Sequence, residues 1–178
     1  MALALDPFGL GKKGYLQTAA QQACGLGFAW VFKREGNMES VSLERFLDIS
    51  IIQDTKAKYC LASDTDASES DKATKVLEAI LHPSFAADYT AVQFSTKSDF
   101  IAFITQNVAP SADWVWHAIG TPHVEVEGDI ATGSWAVIVR IKRKDADQPI
   151  EMIGRYTDRF VRVPEGWQIQ HIHWRPLS

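Results

Sequence analysis

From residue 131 to residue 141 every odd position is apolar or glycine: Ala131, Gly133, Trp135, Val137, Val139 and Ile141. The even positions, Thr132, Ser134, Ala136, Ile138 and Arg140, are mixed. A period of two sustained this long is incompatible with a helix and describes a strand with one face against a core. The flanking segments obey the same rule. WVWHAIGTPHVEVE leads into this run across Glu127-Gly128-Asp129, a tight-hairpin signal. EMIGRYTDRFVRV and WQIQHIHWR follow it, joined around Pro164-Glu165-Gly166. The second half therefore predicts an antiparallel meander, with a shorter strand near residues 85–92.

Two residues break the pattern in informative ways. Along 152–160 the even positions are Met152, Gly154, Tyr156, Asp158 and Phe160, which puts a carboxylate on the more apolar face. An unpaired carboxylate there is costly, so Asp158 must be paired or its pKa raised. In WVWHAIG, His117 shares a face with Val115 and Ile119, while Trp114, Trp116 and Ala118 take the other. Both faces of that strand are apolar. One is expected to line a cavity, the other to meet helices or a second subunit.

The first half has a different period. Ser42 is a good N-cap with Glu44 in the first turn, and Leu43, Phe46, Leu47 and Ile51 recur at helical spacing, extended by Ile52 and Tyr59. This predicts a helix from 43 to about Ala62 with that stripe inward. The polar SDTDASESD is a loop. Ala73, Val76, Leu77, Ile80 and Leu81 trace a second helix that Pro83 ends, and His82 is expected to cap its carbonyls. A short third helix follows Ser95-Thr96, with Pro110 beyond it. Helices first and a meander after make an α+β domain, with helices on one side of a curved sheet.

Residues 1–38 read as an N-terminal extension and 39–178 as one domain. The apolar run 23–32 is too short to span a bilayer, and the glutamines before it make a poor signal-peptide core. A net charge of −4 argues against nucleic acid as partner. The cluster Arg140, Lys142, Arg143, Lys144 reads as a solvated strand end. The two cysteines, Cys24 and Cys60, suggest neither a disulfide framework nor a zinc site, and a reducing, cytoplasmic setting is the simplest home.

Taken in order, YCLASD, HPSFAADY, HAIG, VEVEGDIAT, GRYTDRFVR and GWQIQHIHWR resemble the SnoaL-like branch of the NTF2-like superfamily over roughly residues 40–175. The order and spacing of the pieces carry the likeness rather than any one of them. The resemblance implies a cone: a bent antiparallel sheet wrapped around the N-terminal helices and enclosing an apolar pocket. Family members include polyketide cyclases, ketosteroid isomerases and scytalone dehydratase, and others bind ligands or partners without chemistry. By analogy with scytalone dehydratase, the catalytic histidine falls on His117, the supporting aspartate on Asp64 (or Asp66, given the longer loop), and a substrate-binding tyrosine on Tyr89. That enzyme's second histidine would fall near Val139–Ile141, which is aliphatic here. Its serine and asparagine would fall near Asp158 and Phe160. The pocket is thus expected to resemble a relative's, rebuilt for another substrate.

The expected chemistry follows from residue type. An imidazole titrates near neutrality and serves as acid or base, given a carboxylate to fix its tautomer. His117 is the expected proton carrier, with Asp64 or Asp158 assisting. Tyr89, Tyr156, Trp135, Phe160 and Val139 are the expected substrate contacts. His171 and His173, with His117 or His123, could in principle hold a metal, but no fitting carboxylate accompanies them and neither metal nor cofactor is expected. The expected activity is dehydration, isomerisation or cyclisation of a polyketide- or terpenoid-type intermediate in secondary metabolism. A non-catalytic binding or assembly module is the alternative, favoured by the missing second histidine. The partner is an apolar small molecule, and the apolar strand faces leave a homodimer open.

Overall fold

The structure, a computed structural model, describes residues 42–177. The extension 1–38, its apolar run and Cys24 lie outside the described residues. Helix α1 (Leu43–Ser63) starts where Ser42 Oγ accepts from the Arg45 amide at 3.2 Å. Helix α2 (Ser70–Ile80) runs straight into strand β1 (Leu81–Asp88). A two-residue β2 (Gln93–Phe94) precedes α3 (Lys97–Ala102), a π-helical stretch (Phe103–Val108) and the single turn α4 (Ala109–Ser111). Long strands β3 (Ala112–Glu127), β4 (Ile130–Arg143), β5 (Ile150–Val163) and β6 (Gly166–Pro176) complete the chain. Among the described residues no helix is long and apolar enough to cross a membrane.

The six strands form one sheet in the order β2-β1-β6-β5-β4-β3. Strands β3 to β6 are the expected meander, with hairpins at both expected places. Gly128 opens the first hairpin loop at φ 62°, a conformation an L side chain resists. Register shifts between Gly120 and His123 and between Arg159 and Phe160 bend the sheet around α1. The concave face holds the alternating set: Ala131, Trp135, Val137, Val139, Tyr156, Phe160, Ile169 and Ile172 are buried. Gly133 belongs to that face for a steric reason: a Cβ there would lie 2.1 Å from the Trp135 ring.

Three expectations are corrected. The sheet is mixed, because β1 runs parallel to β6; the chain reaches β1 through α2, a connection that period-two patterning does not encode. Leu81 starts a strand rather than ending a helix, and Pro83 sits inside β1, where the pairing with β6 is interrupted between Leu81 and Ala86 and no amide is needed. His82 accordingly caps no helix; its Nδ1 pairs with Ser84 Oγ at 2.8 Å. Finally, the stripe Leu43, Phe46, Leu47, Ile51 does not face inward: Leu43 is 73% and Phe46 62% exposed. Only the extension of the stripe, Ile52 and Tyr59, is buried, and the rest of the buried side of α1 is Asp48, Thr55, Lys56, Cys60, Ala62 and Ser63.

That side is inward because its polar members have partners in the sheet. Arg162 grips Asp48 with two guanidinium nitrogens, each at 2.8 Å, and Trp167 Nε1 donates to the same carboxylate at 2.9 Å. Just over two turns further on, Lys56 Nζ meets Asp158 Oδ2 at 2.7 Å with both side chains fully buried. These contacts fasten the first two-thirds of α1 over β5 and β6. The last turn is left standing at the other end of the cone.

Candidate active site

The cone encloses a cavity of about 330 Å³. Its walls come from four places. Tyr59 and Ser63 arrive from α1; Tyr89, Ala91 and Val92 from the turn after β1; Phe100, Phe103, Ile104 and Val108 from α3 and the π-helical stretch. The sheet supplies Val115, His117, Val139, Ile141, Met152, Tyr156 and Trp174. The π-helical stretch widens the helix at the residues that face the cavity, a distortion often found at functional sites. The lining is apolar except for tyrosine hydroxyls, one serine, one indole and one imidazole. Among the described residues it contains no carboxylate, lysine or arginine.

That imidazole is His117, directly opposite Val139 in the β3–β4 register. Asp64, the residue that ends α1, reaches across to it. Asp64 Oδ1 lies 2.5 Å from His117 Nδ1, and Oδ2 accepts the His117 backbone amide at 3.1 Å. The carboxylate is itself held in place, since the Asp64 amide donates to Cys60 O at 2.9 Å. Two-point attachment fixes both the ring and the strand that carries it. With Nδ1–H donated to Asp64, neutral His117 is the tautomer whose unprotonated nitrogen is Nε2. Nε2 has no hydrogen-bond partner among the described residues. The pair is shielded without being sealed, with side chains 8% and 18% exposed. This geometry suits a general base: one nitrogen held by a carboxylate, the other open to an apolar space.

Three tyrosines supply the cavity's hydroxyls. Tyr59 Oη and Tyr89 Oη are 2.5 Å apart, and the Tyr156 ring meets that of Tyr59 edge to face at 6.0 Å. Burial pushes all three phenols above their ordinary range, so each stays a neutral donor. Ser63 lines the same cavity with a buried hydroxyl that has no hydrogen-bond partner among the described residues. Burial also pushes the Cys60 thiol up to about 11, which removes it as a nucleophile.

The remaining sequence candidates are placed apart. Asp158 is on the concave face, as its alternation requires, but lies under the closed end and pairs with Lys56 rather than His117. Burial raises its carboxyl pKa against the pull of that ammonium. Trp135 and Phe160 pack on each other with ring centroids 5.9 Å apart, away from the cavity lining. They sit nearer the β4–β5 strand ends that α1 covers, while Val139 and Met152 are paired at the open end. Asp66 turns back to its own loop and accepts from Ser68 and Glu69. His173 faces Asp88 at 3.9 Å and His123 faces Glu125 at 3.3 Å, both pairs outside the cavity. Among the described residues no three His, Cys, Asp or Glu side chains gather at metal-binding distances.

Sequence reasoning assigned no site role to Tyr59, Ser63, Trp174 or Lys56. A signal for the first two existed: Tyr59 and Ser63, at i and i+4, share a face in the last turns before Asp64, so placing the end of this helix at the pocket brings that face to it.

Comparison with known proteins agrees with this architecture. The model of the SnoaL-like domain family matches residues 44–173. No curated protein matches the chain in sequence. Among solved structures, an NTF2-like superfamily protein from Salmonella enterica superimposes with a TM-score of 0.66 at 16% identity, covering 75% of this chain and 93% of its own. A Novosphingobium aromaticivorans protein provisionally described as a scytalone dehydratase gives 0.66 at 12%, covering 75% and 86%. The hexachlorocyclohexane dehydrochlorinase LinA-type3 from Novosphingobium barchaimii gives 0.65 at 17%, covering 76% and 90%. At these identities the structures speak for the fold. The family match spans most of the chain and includes every strand of the meander, so the chain belongs to the SnoaL-like domain family and has the NTF2-like fold.

Proposed function

We propose that this protein is a lyase- or isomerase-type enzyme that moves a proton on a neutral ring compound inside the cavity. The single observation that carries the reading is the Asp64–His117 pair, with Nε2 left free in an apolar enclosure. His117 Nε2 takes a proton from a carbon next to a carbonyl or leaving group. Asp64 holds the imidazolium that forms. The hydroxyls of Tyr59 and Tyr89, with Tyr156 behind them, donate to the substrate oxygen as negative charge develops there. The proton then returns elsewhere on the ring, or leaves with hydroxide as water. Such a step draws on the chain's own groups. Relatives of this fold that carry dehydratase and dehydrochlorinase descriptions support an elimination. The absence of carboxylate, lysine and arginine side chains from the lining, among the described residues, supports a neutral polyketide- or terpenoid-type ring.

The test is proton abstraction itself. In heavy water, 2-tetralone, a bicyclic ketone of suitable size, should exchange its protons adjacent to the carbonyl faster with the protein than in buffer. His117→Ala should return the rate to that of buffer. Exchange no faster than buffer with the wild-type protein rejects the reading. Tight binding of the ketone without exchange would instead support a ligand-binding module, a reading favoured by the cavity's single imidazole. The same proposal includes a reducing, cytoplasmic setting, in which Cys60 is a free buried thiol. It also includes a second copy of the chain as partner for the outer sheet face, where Trp116 is 50% and Ile153 48% exposed. Trp116→Lys should then lower the molecular mass measured by sedimentation.

A further inference from the structure

The mechanism above leaves one buried ionic group unused. Lys56 and Asp158 are fully buried and 2.7 Å apart, and beyond that contact neither Nζ nor either carboxylate oxygen has a hydrogen-bond partner among the described residues. A pair of this kind contributes little to stability, because desolvating two charges offsets most of their attraction. Two apolar side chains of similar volume would serve the core as well. The ammonium's surroundings suggest another use. Nζ lies 3.5 Å from the centre of the Tyr156 ring and 4.2 Å from that of Tyr59. Those two rings meet edge to face at 6.0 Å, both residues line the cavity, and the Tyr59 hydroxyl joins that of Tyr89. The cation thus sits against the same rings whose hydroxyls donate to whatever occupies the cavity.

We infer that Lys56, held by Asp158, is a positioning residue that polarises Tyr59 and Tyr156 so that their hydroxyls donate more strongly to a developing oxyanion in the cavity. A cation over a phenol ring is attracted to its π-face, and more so as negative charge enters the ring. Each increment of proton sharing from the tyrosines to a ligand oxygen therefore strengthens the Lys56 contact. The effect is largest where water is excluded, as it is around this pair. Asp158 holds the ammonium in place at 2.7 Å. The inference rests on the proposed role of the tyrosines as oxygen donors.

The test uses ring ligands rather than turnover. The probes are naphthalene and a series of fluorinated 2-naphthols of graded acidity, titrated against the wild-type protein, Lys56→Met/Asp158→Leu, and Lys56→Gln/Asp158→Asn. The second double variant keeps a polar pair without its charge, in case the first does not fold. In the wild type, affinity should rise with naphthol acidity. In either folded double variant that dependence should flatten, with the most acidic naphthol binding about tenfold more weakly and naphthalene changing less than about twofold. Equal losses for naphthol and naphthalene would mean that the pair only shapes the cavity, and would overturn the inference. So would an unchanged acidity dependence in the variants. If the wild type binds naphthalene but shows no acidity dependence, the tyrosine clamp itself fails; if it binds neither, the apolar ring pocket fails, and the inference falls with it in both cases.

Discussion

Asp64 and Asp158 are the same side chain on the inner surface of the same cone, and both end against a basic partner. Their circumstances differ in one respect that decides what each can do. Asp64 stands at the open end and holds an imidazole by one nitrogen, leaving the other free. Asp158 is sealed at the closed end, where its partner's charge is met by rings and by itself. The first pair can exchange a proton with a ligand, while the second can reach a ligand only through the tyrosines between. Access, not the strength of pairing, is what distinguishes the two carboxylates.

The largest effect that would break this contrast is on stability. Removing one member of the sealed pair, as in Asp158→Ala, strands a buried ammonium and should cost ~3–5 kcal/mol of unfolding free energy. Asp64→Ala, at a site partly open to water, should cost ~1 kcal/mol, the loss of ordinary hydrogen bonds. Urea unfolding of the two variants measures both, and equal losses would abolish the distinction.

The next effect runs the other way. His117→Ala should lower the ketone exchange rate by ~10²–10⁴, the usual share of a general base, with little change in the urea midpoint. Asp64→Asn keeps the shape but lets the ring choose the wrong tautomer, and should lose about tenfold or more. If Asp64→Asn retains the full rate, the carboxylate is only a tether. Tyr89→Phe, which removes one of two paired hydroxyls, should lose about tenfold, with a larger effect on kcat than on KM.

The open-end pair was half legible in the sequence and the sealed pair hardly at all, for physical reasons. His117 stood out because an imidazole breaks an apolar alternation, and alternation is a local property of the chain. Asp64 lies 53 positions away; only the family resemblance brought it forward, with Asp66 and Asp158 as competitors. The inner face of α1 was misread because hydropathy counts Asp48 and Lys56 as outward residues. Each is turned inward by a partner on β5, Arg162 or Asp158, that no helical period reveals. The same logic applies to the sheet: period two gave the strands and their faces, but not that β1 lies parallel to β6.

A third carboxylate sharpens the contrast by the sign of its response to acid. Hydrogen bonds from Arg162, and then from Trp167, hold the Asp48 carboxyl below its ordinary range, against the opposing effect of burial. A carboxyl lowered in the folded state contributes stability above its unfolded pKa, and that stability is lost as pH falls through the folded value. Asp158 is shifted the other way, chiefly by burial. Its contribution is present below the unfolded pKa and is lost as pH rises through the folded one. Acidification from neutral pH to about pH 3 should therefore weaken the fold through Asp48 and not through Asp158. Asp88, lowered by its hydrogen bond to Arg175, shares in that loss. Urea midpoints across this range should fall for the wild type and fall less for Asp48→Asn. In Lys56→Met/Asp158→Leu the acid-induced fall should be at least as large as in the wild type, because the group removed opposed it. A fall that shrinks in the double variant would mean that the Asp158 carboxyl is lowered on folding like that of Asp48, and that the closed end is more open to water than its burial implies.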